Sequence, residues 1–287
     1  MQIDDIYQER SEYSHKGQFG KVLIVSGSKR YTGSPIFNAL SALRTGADLV
    51  TVISERRASD IASSFLPDII SIPLDNELSV KDVPLILKES ESFDSLVIGG
   101  GLDRSLETFK AVRELITKVK IPLVIDAEAI RAVAEDVNVL KDKLAIITPH
   151  GGEFEVLAGK TPTEDLAERK KEIKDLAKRI NSTVLLKSGT DIISDGIDTV
   201  LNDTGSFYMT KGGFGDTLAG ICGALLARNT DSTLKTTYLA AYINGMAGER
   251  ASEVFGESVL ASDIFSFMPE VIQEIITDPP VMGIEAE

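Results

Sequence analysis

The chain predicts an α/β fold built on one doubly wound, mostly parallel sheet, and three observations carry that reading. Short apolar runs alternate with helical patterns along most of its length. Runs at 21–26 and 48–53 flank a helical stretch, so a strand, a helix and a strand follow one another as a βαβ unit, which implies parallel pairing. Glycine-rich loops follow several of the runs, at the carboxyl ends of strands where such sheets bind their ligands.

Residues 1–20 are polar and read as a lead-in loop. The run 21–26, KVLIVS, is a buried strand closed by Gly27 and Ser28. Pro35 opens the next helix at a position where its missing N–H costs nothing, and Gly46 closes it. After the strand at 48–53, further strands are expected at 68–72, 94–98, 122–126 and 144–148, with helices at 80–90, 105–119 and 127–135. A charged helix covers 163–180. The pattern then turns antiparallel, with β segments at 183–187, 191–194 and 197–200 and Asp195-Gly196 as a hairpin turn. Helices at 232–254 and 261–276 complete the fold, and the tail from Asp278 is expected to fray. There is no repeat and no low-complexity linker, so residues 1–287 read as one domain.

At 287 residues, 43% hydrophobic and 26% charged, the chain has an ordinary globular composition and can bury a sizeable core. Its net charge of −14 argues against nucleic acid as a main partner, because phosphate contacts need clustered Lys and Arg. The basic run Arg169-Lys-Lys171 is interleaved with Asp165, Glu168, Glu172 and Asp175 and reads as a solvated helix face. The single cysteine, Cys222, excludes an intrachain disulfide and falls on an apolar stripe as a core residue. No apolar run reaches the length of a membrane span and the first ten residues lack a signal-peptide core, so a cytoplasmic protein is expected.

The chain is organised around Lys211-Gly-Gly-Phe-Gly-Asp216, which runs into a helix with Leu218, Ile221, Cys222, Leu225 and Leu226 at helical spacing. The first N–H groups of such a helix lack intrahelical partners and face outward with the positive end of the macrodipole, which makes an anion pocket. Asp216 at its lip is either a base for a hydroxyl that attacks a phosphoryl group held there, or an N-terminal cap behind a tight turn.

Four loops at strand ends fall on the same side: 26–33, 99–104, 126–128 and 148–153. His150, one of two histidines, reads as a ligand contact or as a hydrogen-bonding cap for the helix starting near Glu153. There is no G-x-x-x-x-G-K-[ST] motif, and no G-x-G-x-x-G follows the first strand, which disfavours a P-loop or a Rossmann dehydrogenase. Cys and His are too few for a zinc site or a nucleophilic triad.

Taken in order, His15-Lys16-Gly17 with Gly20, Val22-Leu-Ile-Val-Ser-Gly-Ser28, Tyr31-Thr-Gly33, Ala42-Leu-Arg-Thr-Gly-Ala-Asp-Leu-Val50, Gly99-Gly-Gly-Leu102, Val124-Ile-Asp-Ala127, Thr148-Pro-His-Gly-Gly-Glu153, Gly212-Gly-Phe-Gly-Asp216, Ala240-Ala-Tyr with Gly245 and Ala247-Gly248, and Leu260-Ala-Ser-Asp263 resemble one family. It is that of the ADP/ATP-dependent NAD(P)H-hydrate dehydratases, carbohydrate-kinase-like members of the ribokinase-like superfamily. The resemblance runs from about residue 15 to 276. It implies a three-layer fold with a mostly parallel central sheet between helices. The implied activity is repair of the S epimer of hydrated NADH or NADPH: ATP or ADP phosphorylates the ring hydroxyl, and the phosphate leaves as an alkene forms.

Carried onto this sequence, the resemblance makes Asp216 the base and the N–H groups of Gly213, Phe214 and Gly215 the anion hole. Lys187, Ser188, Gly189, Thr190 and Asp191, with Gly215, would lie beside the adenine nucleotide. Ser34, Gly101, His150 and Asp216 would line the hydrated cofactor. Magnesium would neutralise the phosphates, with no acidic residue assigned as its ligand, and a homo-oligomer is implied.

This chain departs from the family pattern at Phe214 (usually Ser or Thr), Lys211 (usually small), Gly152 (usually Pro) and Asp103 (usually Gly). Phe214 removes a hydroxyl donor and Lys211 is expected to add a cation near the phosphates. Two other readings stay open: a sugar or vitamin-precursor kinase of the same superfamily, and a non-catalytic nucleotide-binding protein.

Overall fold

The structure is a computed structural model that describes residues 6–7 and 10–284; the expectations for 1–5, 8–9 and 285–287 lie outside the described residues. In chain order it runs β1 (Lys21–Val25), α1 (Ser34–Arg44), β2 (Leu49–Glu55), α2 (Arg56–Phe65), β3 (Ile70–Leu74), α3 (Val83–Ser90), β4 (Ser95–Ile98) and α4 (Leu106–Lys118). It continues with β5 (Leu123–Ile125), α5 (Glu128–Glu135), β6 (Ala145–Ile147), α6 (Gly151–Ala158) and α7 (Leu166–Ile180). Then come β7 (Thr183–Leu186), β8 (Asp191–Ser194), β9 (Thr199–Asn202), α8 (Phe214–Arg228), α9 (Thr233–Phe255) and α10 (Met268–Thr277).

The nine strands among the described residues form one sheet, ordered β3-β2-β1-β4-β5-β6-β7-β8-β9. Pairing is parallel from β3 through β7, while β8 and β9 are added antiparallel, as the hairpin signal in the sequence implied. Because side chains alternate along a strand, β1 sends Val22 and Ile24 to one face and Leu23 and Val25 to the other. One core packs the first face against α1, α8, α9 and α10; the second packs the other face against α3, α4, α5 and α7. Three layers follow from burying both faces of a parallel sheet.

Helix α8 sits unusually close to its neighbours. A Cβ on Gly220 would come within 2.2 Å of the Asn38 carbonyl, and one on Gly223 within 2.3 Å of Val97 Cγ2. The small residues of the predicted stripe therefore let α8 wedge between α1 and the sheet, which fixes where its amino end points. That end lies by the carboxyl ends of β1 and β4, where the strand order reverses and a crevice is left between diverging connections.

Two expectations need correction, and one helix has no counterpart in the sequence reading. The segment after β2 carries α2, which has little apolar signal because its buried residues are Ala58, Ser59 and Ala62. The last helix begins at Met268, seven residues later than the periodicity suggests. Before it, Asp263 accepts the Leu260 N–H at 2.7 Å and holds a tight turn, and Pro269 presets the first turn of α10. The tail beyond Asp278 does not simply fray, since Met282 is buried.

Candidate active site

At the amino end of α8, Gly213 is the N-cap, with φ +105° and no side-chain cap. A Cβ there would meet Ala261 at 2.8 Å and the Phe37 ring at 3.0 Å, so both conformation and space require glycine. The helix proper begins with the N–H groups of Phe214, Gly215 and Asp216, which by position have no intrahelical acceptors. The Phe214 ring is buried in the core, so this residue offers the pocket only its backbone.

Asp216 does not cap the helix. Its Oδ2 accepts a hydrogen bond from Ser34 Oγ at 3.2 Å, across from the start of α1, and its main-chain carbonyl accepts one from Asn38 Nδ2 at 2.7 Å. Burial, with the nearby charge of Asp126, pushes its carboxyl up to about 7, against the opposing effects of Ser34 and Lys187. A carboxyl that changes protonation near neutrality suits proton transfer.

Opposite it, Lys187 follows β7 and pairs with His150 in an isolated parallel bridge, its N–H donating to the Pro149 carbonyl at 2.9 Å. Lys187 Nζ donates to Asp126 Oδ1 at 2.9 Å and lies 3.8 Å from Glu153 Oε2. Thr148 Oγ1 donates to the same Asp126 oxygen at 2.7 Å. Burial alone would lower the ammonium's pKa; the Asp126 and Glu153 carboxylates more than offset it and raise it. A Cβ on Gly215 would stand 3.4 Å from Lys187 Nζ, so the ammonium borders the glycine turn.

Ser34, Gly101, Gly215, Asp216 and Lys187 are thus gathered around one spot. Gly101 sits so near Ser34 that a Cβ on it would fall 2.7 Å from Ser34 Oγ. His150 stands at the rim, exposed, where its Nδ1 accepts the Gly152 N–H at 3.0 Å and Glu153 accepts the His150 N–H at 2.9 Å. Of the two readings of His150, the cap is the one this geometry displays. Ser188, Gly189 and Thr190 form the turn beyond Lys187, and Asp191 Oδ1 accepts the Ser188 N–H at 3.0 Å. Burial pushes the Asp191 carboxyl up to about 6.

The Lys211 ammonium donates to the main-chain carbonyls of Glu257 and Val259, the latter at 2.9 Å, and so ties the glycine turn to the segment after α9. Sequence reasoning gave no role to Asp126, Thr148, Glu153 or Asn38. The first three occupy loops it had singled out, where a carboxylate following a buried strand was the available signal; Asn38 looked like any helix residue.

A cavity of about 340 Å³ opens on the same side of the sheet, over the ends of β1 to β4, lined by Glu55, Asp75, Glu77, Asp103, Glu107 and Lys29 among others. With five carboxylates against one lysine it is a poor seat for phosphates, which leaves the α8 terminus beside Lys187 as the better one. Among the described residues no group of three or more His, Cys, Asp or Glu can hold a metal ion. The carboxylate bordering the turn, Asp126, is engaged by Lys187.

Comparison with known proteins agrees with this architecture. The dehydratase of Bacillus subtilis, co-crystallised with ATP/Mg2+, superposes with a TM-score of 0.80 over 95% of each chain at 23% identity. A hydroxyethylthiazole kinase from Pyrococcus horikoshii gives 0.65 over 94% of each chain at 17% identity. At those identities the likeness is one of fold: the chain shares its layered α/β architecture with both of these structures.

The sequence narrows the class. A family model described as Carb_kinase, NAD(P)H-hydrate dehydratase, matches residues 22–270, and the chain belongs to that family. It is 38% identical to the ADP-dependent (S)-NAD(P)H-hydrate dehydratase of Cenarchaeum symbiosum over 92% of both chains. It is 39% identical to the bifunctional NAD(P)H-hydrate repair enzyme Nnr of Pyrobaculum aerophilum over 91% of this chain, which spans about half (52%) of that relative's length.

Proposed function

We propose that this protein dehydrates the S epimer of hydrated NADH or NADPH back to the reduced dinucleotide, with ADP or ATP as phosphoryl donor. The observation that carries this reading is a base poised near neutrality, Asp216, at the open amino end of α8 with the Lys187 ammonium alongside. Family membership and the ADP-dependent relative support the substrate and the donor.

In this mechanism the N–H groups of Gly213, Phe214 and Gly215 hold the transferring phosphoryl group, and Lys187 balances its charge. Asp216, oriented by Ser34, takes the proton from the substrate's ring hydroxyl. The hydroxyl oxygen forms its bond to phosphorus as the bond to the nucleotide breaks. Phosphate then leaves, pushed out by the ring nitrogen, and the neighbouring ring carbon gives up a proton to the departing phosphate or to water, so that its C–H electron pair restores the alkene. Gly101 and His150 line the hydrated ring, and the segment 187–191 lies along the nucleotide. Among the described residues no acidic cluster is placed to cage magnesium, and we take that ion to enter already bound to the nucleotide's phosphates. We further take 1–287 to act as one domain in a cytoplasmic homo-oligomer, on the strength of the resemblance.

The test is to mix purified protein with hydrated NADH and, separately, ADP or ATP. The expected outcome is recovery of reduced-nicotinamide absorbance with an equal amount of free phosphate. Asp216→Asn is expected to lower turnover roughly 10²–10⁴-fold while nucleotide still binds. A stable phosphorylated product would instead place the chain among the kinases. Nucleotide binding without turnover in the parent protein would leave only a binding role.

A further inference from the structure

Asn38, on α1, is 1% exposed, and its side chain meets the site from below. Only its N–H can donate, so the bond from Nδ2 to the Asp216 carbonyl at 2.7 Å fixes which way the amide points. That leaves Oδ1 buried with no hydrogen-bond partner among the described residues. A buried, unused amide oxygen is costly unless some state of the molecule supplies a donor.

The surroundings identify one. A methyl group on Gly100 would sit 2.3 Å from Asp216 Oδ1 and 3.4 Å from Asn38 Oδ1, so the two oxygens border the same small space beneath that glycine. While Ser34 donates to Oδ2, no hydrogen bond to Asp216 Oδ1 is found among the described residues. Once Asp216 has taken a proton, Oδ1 carries the donor that Asn38 lacks.

We propose that Asn38 is a positioning residue: its N–H pins the backbone of Asp216, and its Oδ1 accepts the proton-bearing form of that carboxyl, stabilising the base after it has taken the substrate's proton. This rests on the reading of Asp216 as the base. Other groups acting on Asp216 are Asp126 at the end of β5, Glu128 on α5, Lys187 at the end of β7 and Ser34 on α1. None of them lies on the Asn38 side chain, so substitutions at 38 leave these in place.

The experiment is a ¹³C NMR titration of the Asp216 carboxyl, assigned with Asp216→Asn, in the parent protein, Asn38→Ala and Asn38→Asp. Removing the acceptor destabilises the protonated form, so Asn38→Ala is expected to lower the midpoint by roughly half a unit to one unit. Asn38→Asp keeps the shape and an acceptor but adds a like charge, and is expected to raise the midpoint by about one unit or more. Opposite shifts are something a purely structural role would not produce. Midpoints that stay within about 0.2 units of the parent in folded variants, or that move the same way in both, overturn the proposal. Because the titration does not depend on turnover, an inactive parent protein would count against the dehydratase reading and not against this one.

Discussion

Burial and the like charge of Asp126 push the Asp216 carboxyl up to about 7, and the proposed mechanism makes this group the base. A base must be deprotonated to work, so kcat/KM is expected to rise with pH across an acidic limb with a midpoint near 7, measured from pH 5 to 9 under saturating nucleotide. A limb at the ordinary aspartate value near 4 would mean that another group takes the proton. At this scale the sequence was informative where one residue type is forced. Gly213 must be glycine because its φ is +105°, and Asp216 is the one acid on the glycine turn. It was silent about Asn38 and Thr148, whose partners lie 178 and 22 residues away, because no local pattern encodes a contact made by folding.

Helix α8 turns sequence into geometry: its small residues allow close packing, and close packing aims its amino end at the crevice. The turn in front of it is held by Lys211, whose two carbonyl partners belong to the segment after α9. If that cation is a tie and does not touch phosphate, Lys211→Met should cost about 1–3 kcal/mol of stability in denaturant unfolding. Its KM for nucleotide should stay within about threefold of the parent value. A tenfold or larger rise in KM would instead put the ammonium on the phosphates. Elements were legible in proportion to their apolar signal. Strands such as β1, with the sequence KVLIV, stand out, whereas α2 shows the core little more than alanine and serine. The boundary of α10 was readable from Pro269 but was masked by the apolar residues Ala261, Ile264 and Phe265 ahead of it, which are buried without being part of that helix.

For the whole molecule, the sheet was legible as parallel followed by antiparallel because the chain changes from long crossovers to a tight hairpin. The strand order was not, since crossover lengths do not say on which side of β1 the next strand docks. Assembling the site at that order's turning point has a thermodynamic consequence. Asp216 (about 7), Asp191 (about 6) and Glu153 all have carboxyls raised by burial above the unfolded value. Between about pH 4 and 7 the native state therefore holds more protons than the unfolded chain, and stability falls as pH rises through that window. Asp48 and Glu172 run the other way. Their carboxyls are lowered: burial opposes this, but hydrogen bonds from Gly17 and Phe19 to the first, and from Lys160 and Thr163 to the second, prevail. Their contribution is present above about pH 4 and disappears as pH falls through their folded values. Self-repulsion in a chain of net charge −14 adds to the cost of high pH. Thermal unfolding scanned from pH 4 to 9 should thus show its highest midpoint at about pH 4–5 and a decline of several degrees by pH 8. The decline should shrink in Asp216→Asn, which stays neutral throughout and keeps the acid's shape. A midpoint that climbs steadily to pH 8, or a decline that Asp216→Asn leaves untouched, would show that the strained carboxyls of the site do not set the molecule's response to pH.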